Sequence, residues 1–162
     1  MTTDNQLIAL VRTYNPRTNE ALIRDAYAFG AEMHEGQFRH SGEPYFTHPV
    51  AVTMILAEMQ MDDATLITAL LHDTIEDTAT TSAELIKAFG YDVAGLVREA
   101  TDNKGLRKDE RKRLQVETAP RKSARARLMK TADKISNIRS IATSPPSGWD
   151  EARMSEYVVW AQ

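Results

Sequence analysis

The chain has 162 residues, 42% of them hydrophobic and 27% charged, with a formal net charge of −3 and no Cys. That length suits one domain, expected over residues 1–162, with enough chain to bury a sizeable core; the lack of Cys excludes disulfides and thiolate metal sites. The start, "MTTDNQLIAL", has no basic segment leading into a long apolar core, which excludes a secretory signal, and no apolar run approaches the roughly 18–20 residues of a membrane span. The expected location is cytoplasmic.

In chain order the pattern is helical nearly throughout. "EALIRDAYAFGAEMHEG" carries Leu22, Ile23, Ala26, Phe29, Gly30 and Met33 at spacings of three and four, an amphipathic helix. "QFRHSGEPYFTHP" breaks that pattern and predicts a loop. "HPVAVTMILAEMQ" restarts a helix, with Pro49 suited to its first turn. Asp62 or Asp63 caps the next, "ATLITALLHDTIEDT", which predicts one continuous helix. "TTSAELIKAFG" reads as an N-cap, a short helix and a C-terminal Gly90, and "YDVAGLVREATDN" as a further helix.

The segment after it, "KGLRKDERKRLQVETAP", is charged and only weakly periodic, so residues 104–120 are expected to be mobile. "RKSARARLMKTADKISNIRSIA" predicts a long helix, "TSPPSG" a turn, and "WDEARMSEYVVWAQ" a last helix that reaches Gln162 without a cap. No stretch alternates cleanly enough for a strand. The fold class is all-α, about seven to eight helices.

Charge is unevenly spread. Residues 104–139 hold 13 Lys/Arg against 4 Asp/Glu, and the rest of the chain holds 7 against 19. The whole protein is therefore a poor candidate for nucleic acid, but this tract could face a smaller anion. The plainer reading of "RKDERKR" is a solvated helix or loop face.

"LLHDTIEDT" concentrates His72, Asp73, Glu76 and Asp77 at the end of an apolar run. Ionisable groups are expensive to bury without partners. His48 opens the preceding helix from the loop side. Asp133 lies between Met129 and Ile135 on the long helix, where a salt bridge to Lys130 or Arg139 is its plainest explanation. An isolated His-Asp dipeptide means little. Together, two His and two Asp from three segments form a ligand set for a hard or borderline divalent ion, with positions left for water and substrate. Glu76 and Asp77 fall one helical turn beyond His72 and Asp73, about 5–6 Å along, within reach of acid–base work. Acids at a helix C-terminus oppose the dipole, which favours function over a structural role. His34, in "HEGQF", resembles the start of a zinc-protease motif, but Phe38 stands where the second His is needed.

Ordered as His48-Pro49, His72-Asp73, Glu76-Asp77 and Asp133, these residues resemble the HD-domain metal-dependent phosphohydrolases. "HEGQFRHSGEPYFTHPVAV", "TLITALLHDTIEDT", "AFGYDVAGLV" and "LMKTADKISNIRS" resemble more closely the hydrolase domain of the RelA/SpoT alarmone enzymes, over roughly residues 20–160. The chain is similar to the stand-alone metazoan SpoT homologue class. The resemblance implies an HD-domain helical bundle and one Mn²⁺ held by His48, His72, Asp73 and Asp133. It implies Glu76 and Asp77 as the catalytic acid pair, Arg39 packed against the guanine base, Asn137 on the nucleotide, and Lys130 and Lys134 near phosphate. This chain departs from the family's pattern at His40, where many relatives have Lys, at Lys134, where Arg is usual, and at Ser136, where His is usual. Lys134 keeps the charge without the planar fork.

The activity so implied is hydrolysis of the 3′-pyrophosphate of guanosine tetra- or pentaphosphate to GDP or GTP and pyrophosphate. The metal would acidify water and polarise phosphoryl oxygens, and Arg39 with the 104–139 tract, including Arg125 and Arg127, would neutralise phosphate. The expected partner is a small nucleotide, with no nucleic acid and no membrane. An adenosine alarmone, or the 2′-phosphate of NADPH, would use the same metal centre. A non-catalytic nucleotide sensor would have no use for Glu76 and Asp77.

Overall fold

The structure is a computed structural model and describes residues 2–162. Nine α-helical segments follow one another: α1 (Asp4–Arg12), α2 (Glu20–Met33), α3 (Thr47–Glu58), α4 (Asp63–Leu71), α5 (Thr74–Asp77), α6 (Ser82–Ala100), α7 (Lys108–Thr118), α8 (Ala124–Thr143) and α9 (Glu151–Ala161). A 3₁₀ turn (Ala119–Arg121) joins α7 to α8. Eight of the nine have at least nine residues, and the only β pairing among the described residues is one bridge, Phe38 with Pro44. The all-α expectation holds.

Helix α4 is the centre. Every residue from Thr65 to Leu71 is buried, because α2, α3, α6 and α8 surround it; a helix apolar all round needs such a cover. Asp62 caps it, its side chain accepting the Thr65 N–H at 2.8 Å. At Gly30 a Cβ atom would sit 2.5 Å from Phe46 Cε2 and 2.9 Å from the Leu70 carbonyl oxygen, so α2 approaches the end of α4 only because that position lacks a side chain. α3 packs against both α4 and α8. The start of α3, the end of α4 and the middle of α8 therefore meet at one place.

Two expectations are corrected. "ATLITALLHDTIEDT" is two helices, broken at His72 and Asp73. The His72 ring donates from Nδ1 to the Ala69 carbonyl at 2.8 Å, and the Thr74 hydroxyl donates to the Leu71 carbonyl at 2.7 Å. Side chains thus take the carbonyls that would have continued the ladder. Glu76 and Asp77 lie in a separate single turn, so the argument from the α4 dipole does not apply to them. Second, residues 108–118 form helix α7 although none of them is buried. The "TTSAELIKAFG" and "YDVAGLVREATDN" helices meet as expected at Gly90, whose non-helical φ of 87° and ψ of 172° divide α6 at a kink. The N-terminal helix α1, closed by a Thr3–Gln6 capping box, carries no strong sequence signal and joins the core through Leu7, Ile8 and Val11.

Candidate active site

His48, His72 and Asp133 are all buried, and their ligand atoms lie within 4.8 Å of one another. His48 Nε2 is 2.9 Å from Asp133 Oδ1, and His72 Nε2 is 4.0 Å from the same oxygen. Asp73 completes the group, its Oδ1 3.2 Å from His72 Nε2. His72 donates from Nδ1 to Ala69, so its Nε2, turned toward two carboxylate oxygens, is the ring nitrogen available to a metal. Three acceptors turned toward one point are unfavourable alone and suit a cation, so the residues fit a divalent metal.

Asp133 is engaged on both oxygens. Oδ1 accepts from Asn137 Nδ2 at 3.0 Å, and Oδ2 faces Lys134 Nζ at 3.0 Å. Burial pushes its carboxyl up, but the His48 contact and the charges of Lys134, His48 and His72 outweigh that and hold it well below the usual range. Burial also opposes ionisation of Asp73, where His72 and His48 again prevail and the net direction is down. The other ring nitrogen of His48 lies 3.1 Å from the Ser136 hydroxyl, so the residue that departs from the family's His positions a metal-candidate side chain.

Glu76 and Asp77 line a cavity of about 200 Å³ together with His48, Asp73 and Asp133. Glu76 Oε2 accepts the Asp102 N–H at 3.2 Å, and Arg111 lies 3.8 Å from Oε1. Its carboxyl is raised, by burial first and then by the charges of Asp102, Asp73 and Asp77, against the pull of that N–H. Asp77 is ion-paired with Lys104. The Tyr45 hydroxyl lies 2.8 Å from Asp73 Oδ2 and 3.1 Å from Asp77 Oδ2. Burial, and then those two carboxylates, push its phenol upward, so it is a donor at neutral pH.

The remaining sequence candidates reach the same cavity. Arg39, Lys130, Lys134 and Asn137 line it, and Arg39 Nη2 donates to Asn137 Oδ1 at 2.9 Å. Arg39, Tyr45 and Asn137 also line a second cavity of about 340 Å³, walled by Phe38, Trp149 and Tyr157. All ten predicted residues are thus gathered at one centre. Elsewhere in the basic tract the expectation fails: Arg125 forms a bidentate pair with Asp92 at 2.6 and 2.8 Å and lies 3.7 Å from Asp62, so its charge is spent on structure. Sequence reasoning missed Tyr45 and Asp102, and it gave Lys104 and Arg111 only as part of a phosphate-facing tract, whereas they face Asp77 and Glu76. Of the missed pair, only Tyr45 left a trace, as an aromatic three positions before His48 in the site-bearing loop.

The model of the HD-domain family matches residues 26–162. Guanosine-3′,5′-bis(diphosphate) 3′-pyrophosphohydrolase MESH1 of Xenopus tropicalis is 48% identical over 148 residues, covering 89% of this chain and 83% of that protein. The protein of the same name from Homo sapiens is 47% identical over 145 residues, covering 87% of this chain and 81% of its own. A solved structure of a metazoan orthologue of SpoT, described as hydrolysing ppGpp and acting in starvation responses, matches with a TM-score of 0.83 at 43% identity, over 87% of this chain and 82% of that one. With a family match over most of its length and relatives this similar along most of theirs, the chain belongs to the HD-domain family, alongside the MESH1 pyrophosphohydrolases.

Proposed function

We propose that the protein removes the 3′-pyrophosphate of guanosine tetra- or pentaphosphate, giving GDP or GTP and pyrophosphate, and that Mn²⁺ is its metal. The observation that carries the reading is the approach of His48, His72 and Asp133, with Asp73 beside His72, at a cavity that Glu76 and Asp77 also line. The high identity to relatives named for that reaction supports the same substrate. His48, His72, Asp73 and Asp133 would hold the ion, which supplies Lewis acidity and lowers the pKa of water.

The protein's own groups do the rest. Water forms a bond to the phosphorus on O3′, the P–O3′ bond breaks, and O3′ leaves as a hydroxyl. A proton must leave the water and another must reach O3′. Glu76, with its carboxyl raised by burial, and Asp77 manage those protons. Lys130 and Lys134 face the phosphates, and the base lies against Arg39 in the cavity walled by Trp149 and Tyr157. Arginine planes stack on such rings, and Asn137 holds the Arg39 fork.

The test is a panel of guanosine alarmone, adenosine alarmone and NADPH with Mn²⁺, reading pyrophosphate against orthophosphate. Pyrophosphate from the guanosine alarmone, lost on chelation, is the expected result. Orthophosphate from NADPH with no pyrophosphate from any alarmone would overturn the reading.

A further inference from the structure

One side chain outside the predicted set touches both halves of the site. Two other partly buried phenols satisfy the hydroxyl on a backbone carbonyl: Tyr14 donates to Met61 and Tyr27 to Thr2, each at 3.0 Å. The Tyr45 hydroxyl instead lies between two carboxylates, Asp73 at 2.8 Å and Asp77 at 3.1 Å. We infer that Tyr45 is a positioning residue for the reaction, its hydroxyl fixing a metal-holding carboxylate and a catalytic carboxylate in one relative orientation. The inference rests on the metal-dependent hydrolase reading above.

A hydroxyl has one proton to give. The shorter contact is to Asp73 Oδ2, which leaves Asp73 Oδ1 turned toward His72 Nε2 at 3.2 Å. The terminal torsion of Asp is broad, so without that donor the carboxylate is free to turn and misdirect Oδ1. Asp77 has one other side-chain partner, Lys104, whose side chain is 50% exposed, and ion pairs in that setting restrain little. Among the described residues Tyr45 is therefore the one side chain that touches both acids, holding Asp73 through its proton and contacting Asp77 beside it.

The ring is itself held. It packs on His34 with centroids 4.9 Å apart and meets His48 edge-on at 6.4 Å. Its N–H donates to the Gln37 carbonyl at 2.9 Å, and the Gln37 amide donates to the Asp77 carbonyl at 3.2 Å. Tyr45 and the Asp77 backbone are thus tied to the same residue. Displacement of a reacting group by about 1 Å can lower rate about 10²-fold.

The experiment compares Tyr45→Phe with Tyr14→Phe, which loses one buried hydroxyl far from the site. For each, kcat and KM for the guanosine alarmone, Mn²⁺ affinity by calorimetry and Tm are measured. Tyr45→Phe is expected to lower kcat and Mn²⁺ affinity by about 10–100-fold with KM unchanged, while Tyr14→Phe lowers only Tm. Wild-type kcat and Mn²⁺ affinity in Tyr45→Phe overturn the inference. So does a Tyr45→Phe protein that is unfolded where Tyr14→Phe is folded, since the hydroxyl is then structural. If the wild type releases no pyrophosphate, the hydrolase reading fails, and the Mn²⁺ affinities still decide whether Tyr45 orients Asp73.

Discussion

Asp102 acts on Glu76 in two opposed ways. Its backbone N–H donates to Glu76 Oε2 at 3.2 Å and favours the carboxylate, while its own charge, added to burial, favours the acid. Burial is the largest influence, and the net direction is up. A carboxyl raised in the folded state favours folding most when protonated; that contribution is complete below pH 4.5 and is lost as pH rises through the raised value. Metal-free Glu76→Gln should therefore melt above metal-free wild type at neutral pH, with the gap closing below pH 4.5. Melting curves across that range check it; a gap of constant size would show that ionisation of Glu76 carries no folding penalty.

Role separation is the next expectation. Asp77 touches Tyr45 and Lys104 and lies outside the His48–His72–Asp133 group. Asp77→Asn should keep Mn²⁺ affinity and lower kcat by about 10²–10⁴-fold, the usual contribution of an acid–base group. Single-turnover rates beside a metal titration decide it, and an unchanged rate would make Asp77 structural.

The metal assignment has its own test. A ligand bound only by the native state stabilises it by mass action. Mn²⁺ should raise the Tm of wild type and leave that of His72→Ala and Asp133→Ala where it was. Equal shifts in all three would remove these residues from the ligand set.

The candidate site was legible to the extent that its chemistry recurs in short strings. His72-Asp73 and Glu76-Asp77 stand out because charge interrupts an apolar run, and Asp133 because it sits among buried neighbours. Tyr45 does not stand out, since its role comes from contacts 28 and 32 positions away. The break after α4 was hidden for a different reason: His72 and Asp73 sit close to helical dihedrals, and the ladder ends through side chains competing for carbonyls. Helix α7 stayed ambiguous between a solvated helix and a loop because none of its residues is buried, so hydrophobic period, the main local signal, is absent.

Arg39 is expected to govern the base. Its partner Asn137 links it to Asp133 through hydrogen bonds of 2.9 and 3.0 Å, yet its side chain also lines the aromatic cavity. Arg39→Ala should raise KM for the guanosine alarmone and leave kcat nearly unchanged, because contacts to a non-reacting base are equal in ground and transition states. Steady-state kinetics on guanosine and adenosine alarmones test this; unchanged KM and unchanged base preference would refute the base-packing role.

Gly30 offers a test of how the core supports the centre. Gly30→Ala pushes a methyl against Phe46 and the Leu70 carbonyl, and overpacking of that kind costs about 1–3 kcal/mol. Leu70 is two residues before His72 and Phe46 two before His48, so the strain should also weaken Mn²⁺ binding. Denaturant melts and metal titration on one sample measure both; a neutral substitution would mean that α2 yields.

The loop from Gln37 to Thr47 is pinned at its base by the Phe38–Pro44 bridge, and near its tip the His40 carbonyl accepts the Ser147 N–H at 2.9 Å. The α8–α9 turn, which holds no ionisable group of the centre, thereby sets where the neighbouring Arg39 stands. Mutational drift in that turn would be felt as altered base preference, with hydrolytic power left intact. If Arg39 packs the base as proposed, a stretch of Pro, Ser and Gly that looks dispensable would tune what the protein consumes without rebuilding how it cuts.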